Sequence, residues 1–552
     1  MSEKTDKQIE LAEARHKEAQ NALREGHATP AFNLFDEKWI NVIGSDDRLS
    51  SVSLDTLFRE SHHIRDIAEH DPLVNFALRR LIAALAVQLV RLHGSDDKDE
   101  WYDRLEASRG FTDEQVDSLV ADQRDYFWLW HPEHPFLQDI RLIDSLTSIE
   151  FVKITDAVPH LPGKSESAWF VKPKSQPFSH EYRHDEVAKI LSGRWFYNLS
   201  GNTGHVLTSE SQEQKRNGAD PKTIKSQRGG AFAGEYTQFF RVSSSTLFHS
   251  ILRNMVENFF EPFESNINGP AWMDKAYPSV SDDPLYRYTV TFTSALLGPR
   301  SDSEQTMVRG AVAKDGETKE YHVEVRSADI HACRYASGKN KASVSTVRIS
   351  PSDHRSKIVE ELVKTRSINE HTSLASVTNK SNLWLVDNDE PEVLLMLMCK
   401  LGGSTTSRKW EDVRLSAITA DLTYEQSDTF KTVGPVASKC FDPSSGMRSL
   451  LRDSVGIALK LQNEGKQTRY NSEKKAMSDM AEDRWMDVAS QYTDGLLEKE
   501  ISADEFLLLL KDATFDVFDA VMEKYQGSLK YAAQVVCARS MLRRRMRKTY
   551  GD

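Results

Sequence analysis

Residues 126–139, which read YFWLWHPEHPFLQD, constrain the fold more than any other part of the chain. Four of the first five side chains are aromatic, which is more apolar area than a water-exposed surface normally carries. Pro132 and Pro135 forbid a continuing helix, so the helical pattern of residues 112–130 has to end here. His131 and His134 could bind a metal, but beside two prolines we expect them to shape a rigid turn and to hydrogen-bond backbone groups. The segment therefore predicts an aromatic core next to a fixed turn.

The distribution of charged and apolar residues along the chain divides it into three parts. A length of 552 residues is too great for one compact core and favours two to four domains. Residues 1–30 form a charged extension, and residues 31–435 mix strands, helices and polar loops. Beyond them, residues 446–462, 473–497, 502–524 and 527–548 predict four helices, with Ser502 at an N-cap. The predicted fold is α+β: a large mixed α/β domain (31–435) followed by a C-terminal four-helix bundle (436–552).

Several shorter patterns refine the mixed domain. The apolar stretches FNLF and WINVI, which the polar residues DEK separate, predict a hairpin near the start. Residues 71–92 predict an amphipathic core helix, because their apolar residues recur at three- and four-residue spacing. Residues 286–297 predict a strand, and the apolar residues 393–401 predict a helix that ends at Gly402.

Composition limits the classes of function. A net charge of −12 argues against a general nucleic-acid binder, although residues 334–366 hold eight Lys/Arg against three Asp/Glu. The four cysteines contain no CxxC pair, so neither a disulfide framework nor a cysteine zinc site is expected. No apolar run predicts a membrane span and no secretory signal is present, so we expect a cytoplasmic protein without a cofactor.

The five residues 180–184, HEYRH, match the zinc-hydrolase pattern H-E-x-x-H. On a helix, this spacing places two imidazoles on one face for zinc and provides a glutamate base. Arg183 and Asp185, however, place charges where such helices are apolar, and a Pro- and Lys-rich loop precedes the motif. We interpret the segment as a polar helix start, with a zinc hydrolase that uses His180, Glu181 and His184 as the alternative.

Two glycine-containing segments suit contact with nucleic acid. In residues 222–234, KTIKSQRGGAFAG, two glycines follow three cations, and glycine allows a phosphate or a DNA groove to approach the main chain. Residues 402–410, GGSTTSRKW, end in two cations that could enter a groove. A plain flexible loop is the alternative for the first segment, and a helix C-cap is the alternative for the second.

Three segments carry a family resemblance: FNLFDEKWINV at residues 32–42, YFWLWHPEHPFLQD at 126–139 and SAWFVK at 167–172. Their sequences, order and spacing resemble the large subunit (CasA-type) of the type I-E CRISPR Cascade surveillance complex. The resemblance implies a non-catalytic DNA-recognition subunit that reads the PAM in double-stranded DNA, opens the duplex for R-loop formation and helps to recruit a helicase-nuclease in antiviral defence. The implied partners are double-stranded DNA, CRISPR guide RNA, the helicase-nuclease and the other Cascade subunits, in a hetero-oligomer.

The resemblance also implies site residues, all of them in loops. The guide-docking loop would contain Phe170, Val171 and Lys172, with lysine where the family has asparagine. The DNA-binding residues would be Lys222, Lys225, Arg228, Gly229, Gly230, Lys341, Arg348, Ser407, Arg408 and Lys409. Of these, Ser407, Arg408 or Lys409 falls where the family's strand-separating glutamine lies, and Lys341 or Arg348 falls near its lysine finger. A scaffold subunit without direct DNA contact is a further alternative, which the charge of −12 would fit.

Overall fold

The computed structural model describes residues 2–93, 109–146, 149, 151–154, 182–199, 201–204, 225–228, 237–256, 259, 269–274, 280–291, 293–300, 305–311, 329–332, 334–337, 343–364, 391–404, 407–424, 427–442, 445–459, 472–527 and 531–551. The chain divides into two compact units. The first comprises Met1–Cys333 and Leu374–Ile418, and the second comprises Arg334–Ser373 and Thr419–Asp552.

The strands in the described residues are β1 (Ala31–Asn33), β2 (Ile40–Gly44), β3 (Leu49–Val52), β4 (Ile64–Ile67), β5 (Trp128–Trp130), β6 (Val152–Lys153), β7 (Gly201–Gly204), β8 (Lys225–Arg228), β9 (Gln238–Ser243), β10 (Thr293–Leu297), β11 (Thr306–Ala311), β12 (Arg334–Ser337), β13 (Ser343–Thr346), β14 (Glu392–Ser404) and β15 (Ser407–Thr419). In the first unit they form sheets in the orders β3-β2-β4, β10-β11-β6 and β8-β7-β15-β14-β9, and β1 pairs with β5. This unit is therefore built around several small sheets and one of five strands.

The α-helices in the described residues are α1 (Ser2–His27), α2 (Leu54–Arg59), α3 (Pro72–Leu92), α4 (Asp113–Gln123), α5 (Leu142–Ser145), α6 (His184–Tyr197), α7 (Leu247–Leu252), α8 (Pro284–Thr289), α9 (Arg355–Lys364), α10 (Asp428–Phe441), α11 (Met447–Ala458), α12 (Ser472–Leu497), α13 (Ala503–Gln526) and α14 (Ala532–Tyr550). The first eight lie in the first unit and the last six in the second. The expected mixture of helix and strand is thus present.

The expected hairpin of FNLF and WINVI does not form. β1 pairs with β5, which places Ala31 opposite Trp130, whereas β2 pairs with β3 and β4. The cause is a tight turn at Asn33: its carbonyl accepts from the amides of Asp36 and Glu37, and its side chain accepts from Phe35. The two apolar stretches therefore join different sheets.

Helix α3 is the core of the first unit. Asp71 caps its N-terminus by accepting from the amides of Leu73 and Val74, and Pro72 occupies the first turn. All eighteen residues from Leu73 to Val90 are buried, so the expectation of an amphipathic helix is wrong. Its length and hydropathy would also suit a membrane span, but its complete burial within the protein is that of a core helix.

Three other expectations about secondary structure are wrong. The helical pattern of residues 112–130 stops early, because α4 ends at Gln123 and Trp128–Trp130 pair with β1 as strand β5. Residues 286–297 begin as helix α8, because Pro284 and the capping carboxylate of Asp283 start a helix, and only residues 293–297 form a strand. Residues 393–401 lie in β14, whose first six residues pair with β9. A short apolar run without period fits a buried strand as well as a helix, and pairing with β9 decides between them.

The second unit is largely helical. Its described residues include α11 to α14 close to the four predicted helices, and Ser502 caps α13 by accepting from the amide of Glu505 as expected. The indole of Trp485 on α12 donates to Thr514 on α13 at 2.8 Å. Since α9 and α10 also pack on these helices, this unit includes residues 334–373 and 419–435, which the sequence placed in the mixed domain. A bundle of four members stays a prediction.

Candidate nucleic-acid interface

The five-stranded sheet brings together two of the predicted DNA-binding segments. Strand β7 pairs with β15 on one side and with β8 on the other, so Gly201 lies opposite both Ser407 and Arg228. The backbones of Arg228 and Ser407 are therefore two strand spacings apart, roughly 10 Å. More than 170 residues of sequence separate them. The two cationic segments thus share one region of one sheet.

The charge of this region is uniformly positive in sequence. Strand β8 reads KSQR, β7 reads GNTG and β15 begins SRKW, so Lys225, Arg228, Arg408 and Lys409 contribute four cations and these segments contain no acid. Further along the same hairpin the acids are paired: Glu411 lies 3.1 Å from Lys400, and Asp412 lies 3.1 Å from Arg414. A net charge of −12 is therefore compatible with a local positive region.

Strand β7 is a member of this region that the sequence analysis did not identify. Its ends are Gly201 and Gly204, and Asn202 and Thr203 lie between them, opposite Gln227 and Ser226 of β8. Glycine has no side chain, so these two positions add none between the two cationic strands. The only signal in the sequence was the segment GNTG itself, and four such residues do not reveal which strands they will pair with.

Residues 402–404 end strand β14 and residues 407–410 begin strand β15, so Gly402 does not cap a helix. Each of these two strands has 13 residues. A β-carbon at Gly402 would clash with the carboxylate of Glu411, so a side chain there would displace Glu411 from its place beside Lys400. Trp410 is buried next to Lys409 and anchors the start of β15.

The opposite edge of the sheet is fixed by a buried ionic cluster. The guanidinium groups of Arg241 on β9 and Arg253 each contact one carboxylate oxygen of Glu392 on β14, both at 2.5 Å. Asn254 accepts from the amide of Arg241 and donates to its carbonyl, at 2.9 and 2.7 Å. Since these groups are buried, they hold β14 at one register against β9, and through it the position of β15.

The remaining predicted site residues are not brought to this sheet by the described structure. Arg348 lies in the second unit and is exposed. The others lie outside the described residues; they are Phe170, Val171, Lys172, Lys222, Gly229, Gly230 and Lys341. The guide-docking loop and the lysine finger therefore stay predictions.

The alternative zinc site does not fit the local backbone. Helix α6 begins at His184, and Arg183 before it has extended dihedrals, φ −70° and ψ 161°. H-E-x-x-H chemistry requires the first histidine one helical turn before the second, on the same helix. The ring of His184 instead packs edge-on against Phe32 and Trp130, with centroids at 5.2 and 4.8 Å. The segment is the start of a helix, as interpreted from its charges; His180 and Glu181 lie outside the described residues.

The turn after β5 has the expected form. The Nδ1 atom of His131 accepts from the amides of Glu133 and His134, at 3.1 and 2.9 Å. Burial, with the neighbouring His134, lowers the pKa of His131, which keeps the ring neutral and Nδ1 an acceptor. Phe127, Trp130 and Phe136 are completely buried around it. The prediction of a proline-fixed turn beside an aromatic core is confirmed.

Two further sets of reactive side chains occur in the described residues: an acid-histidine cluster and two buried cysteines. Glu60, His62 and His63 each place a ligand atom within 4.8 Å of the others, but they follow one another at the end of α2 and two of them are exposed. Burial raises the pKa of Cys399 and of Cys440 to about 12, so both stay as thiols at neutral pH. Neither of these two sets of residues forms a catalytic centre in the five-stranded sheet.

Comparison with known proteins agrees with the sequence resemblance. The family CRISPR-associated protein Cse1 matches residues 33–507. The CasA/Cse1 protein of Thermus thermophilus is 34% identical over 110 residues, which cover 19% of this chain and 20% of that protein. A structure of Thermus thermophilus CasA (Cse1) superposes with a TM-score of 0.66 at 15% identity, over 94% of this chain and 100% of the other. A chain in a structure described as a CRISPR RNA-guided surveillance complex gives a TM-score of 0.62 at 15% identity, over 93% and 100% of the two chains. Since the family match extends over most of its length, the chain belongs to the CRISPR-associated protein Cse1 family.

Proposed function

We propose that this chain is the large subunit of a type I-E CRISPR surveillance complex and that it recognises the PAM in double-stranded DNA. The observation that carries the proposal is the register of β8, β7 and β15, in which Arg228 and Ser407 both lie opposite Gly201. Arg408 and Lys409 follow Ser407 on β15, and Lys225 lies opposite Gly204 on the same β8 strand as Arg228. Four cations without acids in these segments suit the DNA backbone, and a hairpin end suits insertion into a groove. Family membership, together with a similar fold in an RNA-guided surveillance complex, supports the same assignment.

In this proposal the protein contributes recognition and not chemistry. Guide RNA would read the target by base pairing, and the hairpin end would contact only the short PAM duplex. The side chain of Arg408 or of Lys409 would enter the narrow minor groove, where the negative potential is strongest. Strand separation for the R-loop would start at the same place, and recruitment of the helicase-nuclease would follow, with the whole complex acting in the cytoplasm.

The test is charge reversal in the assembled complex. Lys225→Glu, Arg228→Glu and Arg408→Glu together should weaken target binding at least tenfold at moderate salt, and the salt slope should fall by about 1 for each phosphate that is no longer bound. The matched control reverses Lys38, Arg15 and Arg48, which are exposed elsewhere in the same unit. Binding is measured with a PAM-containing duplex over a series of salt concentrations. Equal affinity of the two triple variants would refute the assignment of the interface.

A scaffold role without DNA contact is the second candidate, because the net charge of −12 favours it. The two candidates differ in where bound DNA lies. Cross-linking of a photoreactive PAM duplex should label the segments 225–228 and 407–410 if the chain reads DNA. Labels confined to the partner subunits would establish the scaffold role.

A further inference from the structure

The turn at residues 131–136 forms one wall of a pocket that the proposed function does not use. The pocket lies in the first unit and has a volume of about 160 Å³. Its lining combines aromatic and acidic side chains; they include Tyr126, Glu133, Asp139, Trp195, Trp272 and Asp274. The segment that constrains the fold most strongly therefore also faces a cavity.

The walls of this pocket are held by hydrogen bonds on both sides of the turn. The side-chain amide of Gln138 donates to the carbonyl of Leu129 at 2.7 Å and accepts from the amide of Leu297 at 2.7 Å. The amide of Asp139 donates to Ala295 at 2.9 Å. Between them, Leu137 has a φ of +50°, a left-handed conformation that branched apolar residues rarely adopt. The pocket is thus formed before any ligand binds.

The charge of the lining favours a cation. Arg141 donates to both carboxylate oxygens of Asp139, at 2.8 and 2.9 Å, so these two charges compensate each other. Asp274 accepts from the hydroxyl of Tyr286 at 2.7 Å, and Glu133 lies at the mouth with its side chain 72% exposed. The lining thus holds three carboxylates, the guanidinium of Arg141 and the imidazole of His134, which lies 3.6 Å from Glu133. Because carboxylates outnumber the other charged groups, we expect a phosphate to bind less well than a cation.

The volume of the pocket and its aromatic side chains further limit the kinds of ligand that fit. A volume near 160 Å³ resembles an engineered cavity of about 150 Å³ that holds benzene, and it is smaller than the roughly 300–1,000 Å³ of whole-ligand sites. A single side chain therefore fits better than a complete metabolite. Tyr126, Trp195 and Trp272 supply aromatic rings, which attract cations, and a planar guanidinium both stacks on rings and donates several hydrogen bonds to carboxylates.

We propose that this pocket receives the side chain of an arginine from a partner protein subunit. The inference rests on the proposed function in that a partner subunit must exist. It adds a docking site that involves neither DNA nor the β8–β7–β15 sheet. The aromatic and histidine-proline motif would then contribute to assembly, with its rigid turn holding Glu133 at the pocket mouth.

The first experiment measures the pocket in the free full-length chain with N-acetyl-arginine amide as the probe, by isothermal titration. We expect binding of this probe, weaker binding of N-acetyl-lysine amide, and none of N-acetyl-leucine amide or inorganic phosphate. Glu133→Gln with Asp274→Asn should weaken arginine binding at least tenfold, which corresponds to the loss of about one charge-assisted hydrogen bond. The control pair is Glu37→Gln with Asp282→Asn, two exposed acids of the same unit. Equal binding by both pairs would overturn the inference.

The second experiment measures assembly of each variant with the guide RNA and partner subunits. The pocket pair should lower the affinity of this chain for the rest of the complex about tenfold, whereas the control pair should not. Tyr126→Leu, which removes a ring and no charge, should weaken assembly in the same direction, and circular dichroism checks that each variant is folded. Normal assembly of both pocket variants would overturn the docking site and leave DNA recognition intact. A chain that binds the arginine probe but joins no guide RNA complex would support the cation pocket and overturn the subunit proposal.

Discussion

At the scale of single residues, the first unit depends on ionisable groups that water does not reach. Arg80 donates to both carboxylate oxygens of Asp329 at 3.0 and 3.2 Å, and both side chains are completely buried. Burial opposes ionisation of Asp329, but Arg80 and His331 offset this effect and hold the pKa of Asp329 below its usual value. The pair lets two charges occupy the core because each compensates the other.

Loss of one partner of this pair should therefore be costly. Asp329→Asn removes the carboxylate that pairs with the buried guanidinium of Arg80, and we expect a loss of about 3–5 kcal/mol in the free energy of unfolding. Asp282→Asn, at a side chain that is 85% exposed, is the matched control and should change stability by less than about 0.5 kcal/mol. Urea denaturation of both variants measures the difference. Similar values for the two would contradict the role of the buried pair.

His331 gives the same core a dependence on pH. Its Nδ1 atom donates to the carbonyl of Phe239 at 2.8 Å, so in the neutral tautomer Nε2 accepts from the hydroxyl of Tyr288, also at 2.8 Å. Burial, with the charge of Arg80, lowers the pKa of His331 to about 3, well under its unfolded value of 6.5. Between these values only the unfolded chain binds the proton, so stability is complete above pH 6.5 and falls as the pH decreases towards 3.

The pH dependence can be isolated by substitution. His331→Gln should lower stability at pH 7, but its loss of stability between about pH 6.5 and 4.5 should be smaller than that of the unchanged chain. Each pH unit in this window contributes at most about 1.4 kcal/mol per histidine. His63→Gln, at an exposed position, should retain the original slope. Parallel slopes for all three proteins, measured by chemical denaturation, would show that His331 is not the titrating group.

At the scale of elements, the charged N-terminal extension has a structural role at its C-terminal end. Helix α1 is largely exposed over its described N-terminal part, but Leu23 lies in a buried cluster with Leu142, Ile143 and Leu296. The side chain of Gln20 donates to the carbonyl of Ile143 at 2.7 Å, and His27 hydrogen-bonds the carbonyl of Leu297 at 3.0 Å. The last two turns therefore pack as part of the first unit.

This packing predicts a graded effect of substitutions along α1. Leu23→Ala should destabilise the first unit by about 2–5 kcal/mol, because it leaves a cavity in a closed cluster. Leu11→Ala is the control on the same helix, where the side chain is 53% exposed and little change is expected. Thermal unfolding of the two variants gives the comparison. If Leu23→Ala were as stable as Leu11→Ala, the helix end would not be part of the core.

At the scale of the whole molecule, the net charge is negative, although one region of the five-stranded sheet carries only cations in sequence. The chain holds 83 acids and 71 Lys/Arg, yet the described segments of β8, β7 and the start of β15 contain only cations among their ionisable residues. If the chain recognises DNA as proposed, we expect it to bind weakly by itself, because its net negative charge opposes the approach of phosphate. Partner subunits and guide RNA would have to supply the remaining contacts.

The free chain and the assembled complex should therefore differ in specificity. We expect the free chain to bind any duplex weakly, with affinity that disappears as salt rises, and the complex to bind a PAM-containing duplex at least a hundredfold more tightly than one without a PAM. Electrophoretic mobility or interferometry with matched duplexes measures both. Equal PAM preference in the free chain would show that this subunit reads DNA without its partners.

The sequence by itself determined the local features and the family. Pro132 and Pro135 shape a turn, Ser502 and Asp71 cap the helices that follow them, and the three matching segments identify the Cse1 family. Each of these signals involves only a few neighbouring residues, so it can be recognised in the sequence before the fold is known. The tertiary structure decided the rest: that residues 393–401 form a strand, that FNLF and WINVI join different sheets, and that β7 lies between β8 and β15. Pairing between distant segments depends on packing free energy summed over the whole core, which no local pattern contains.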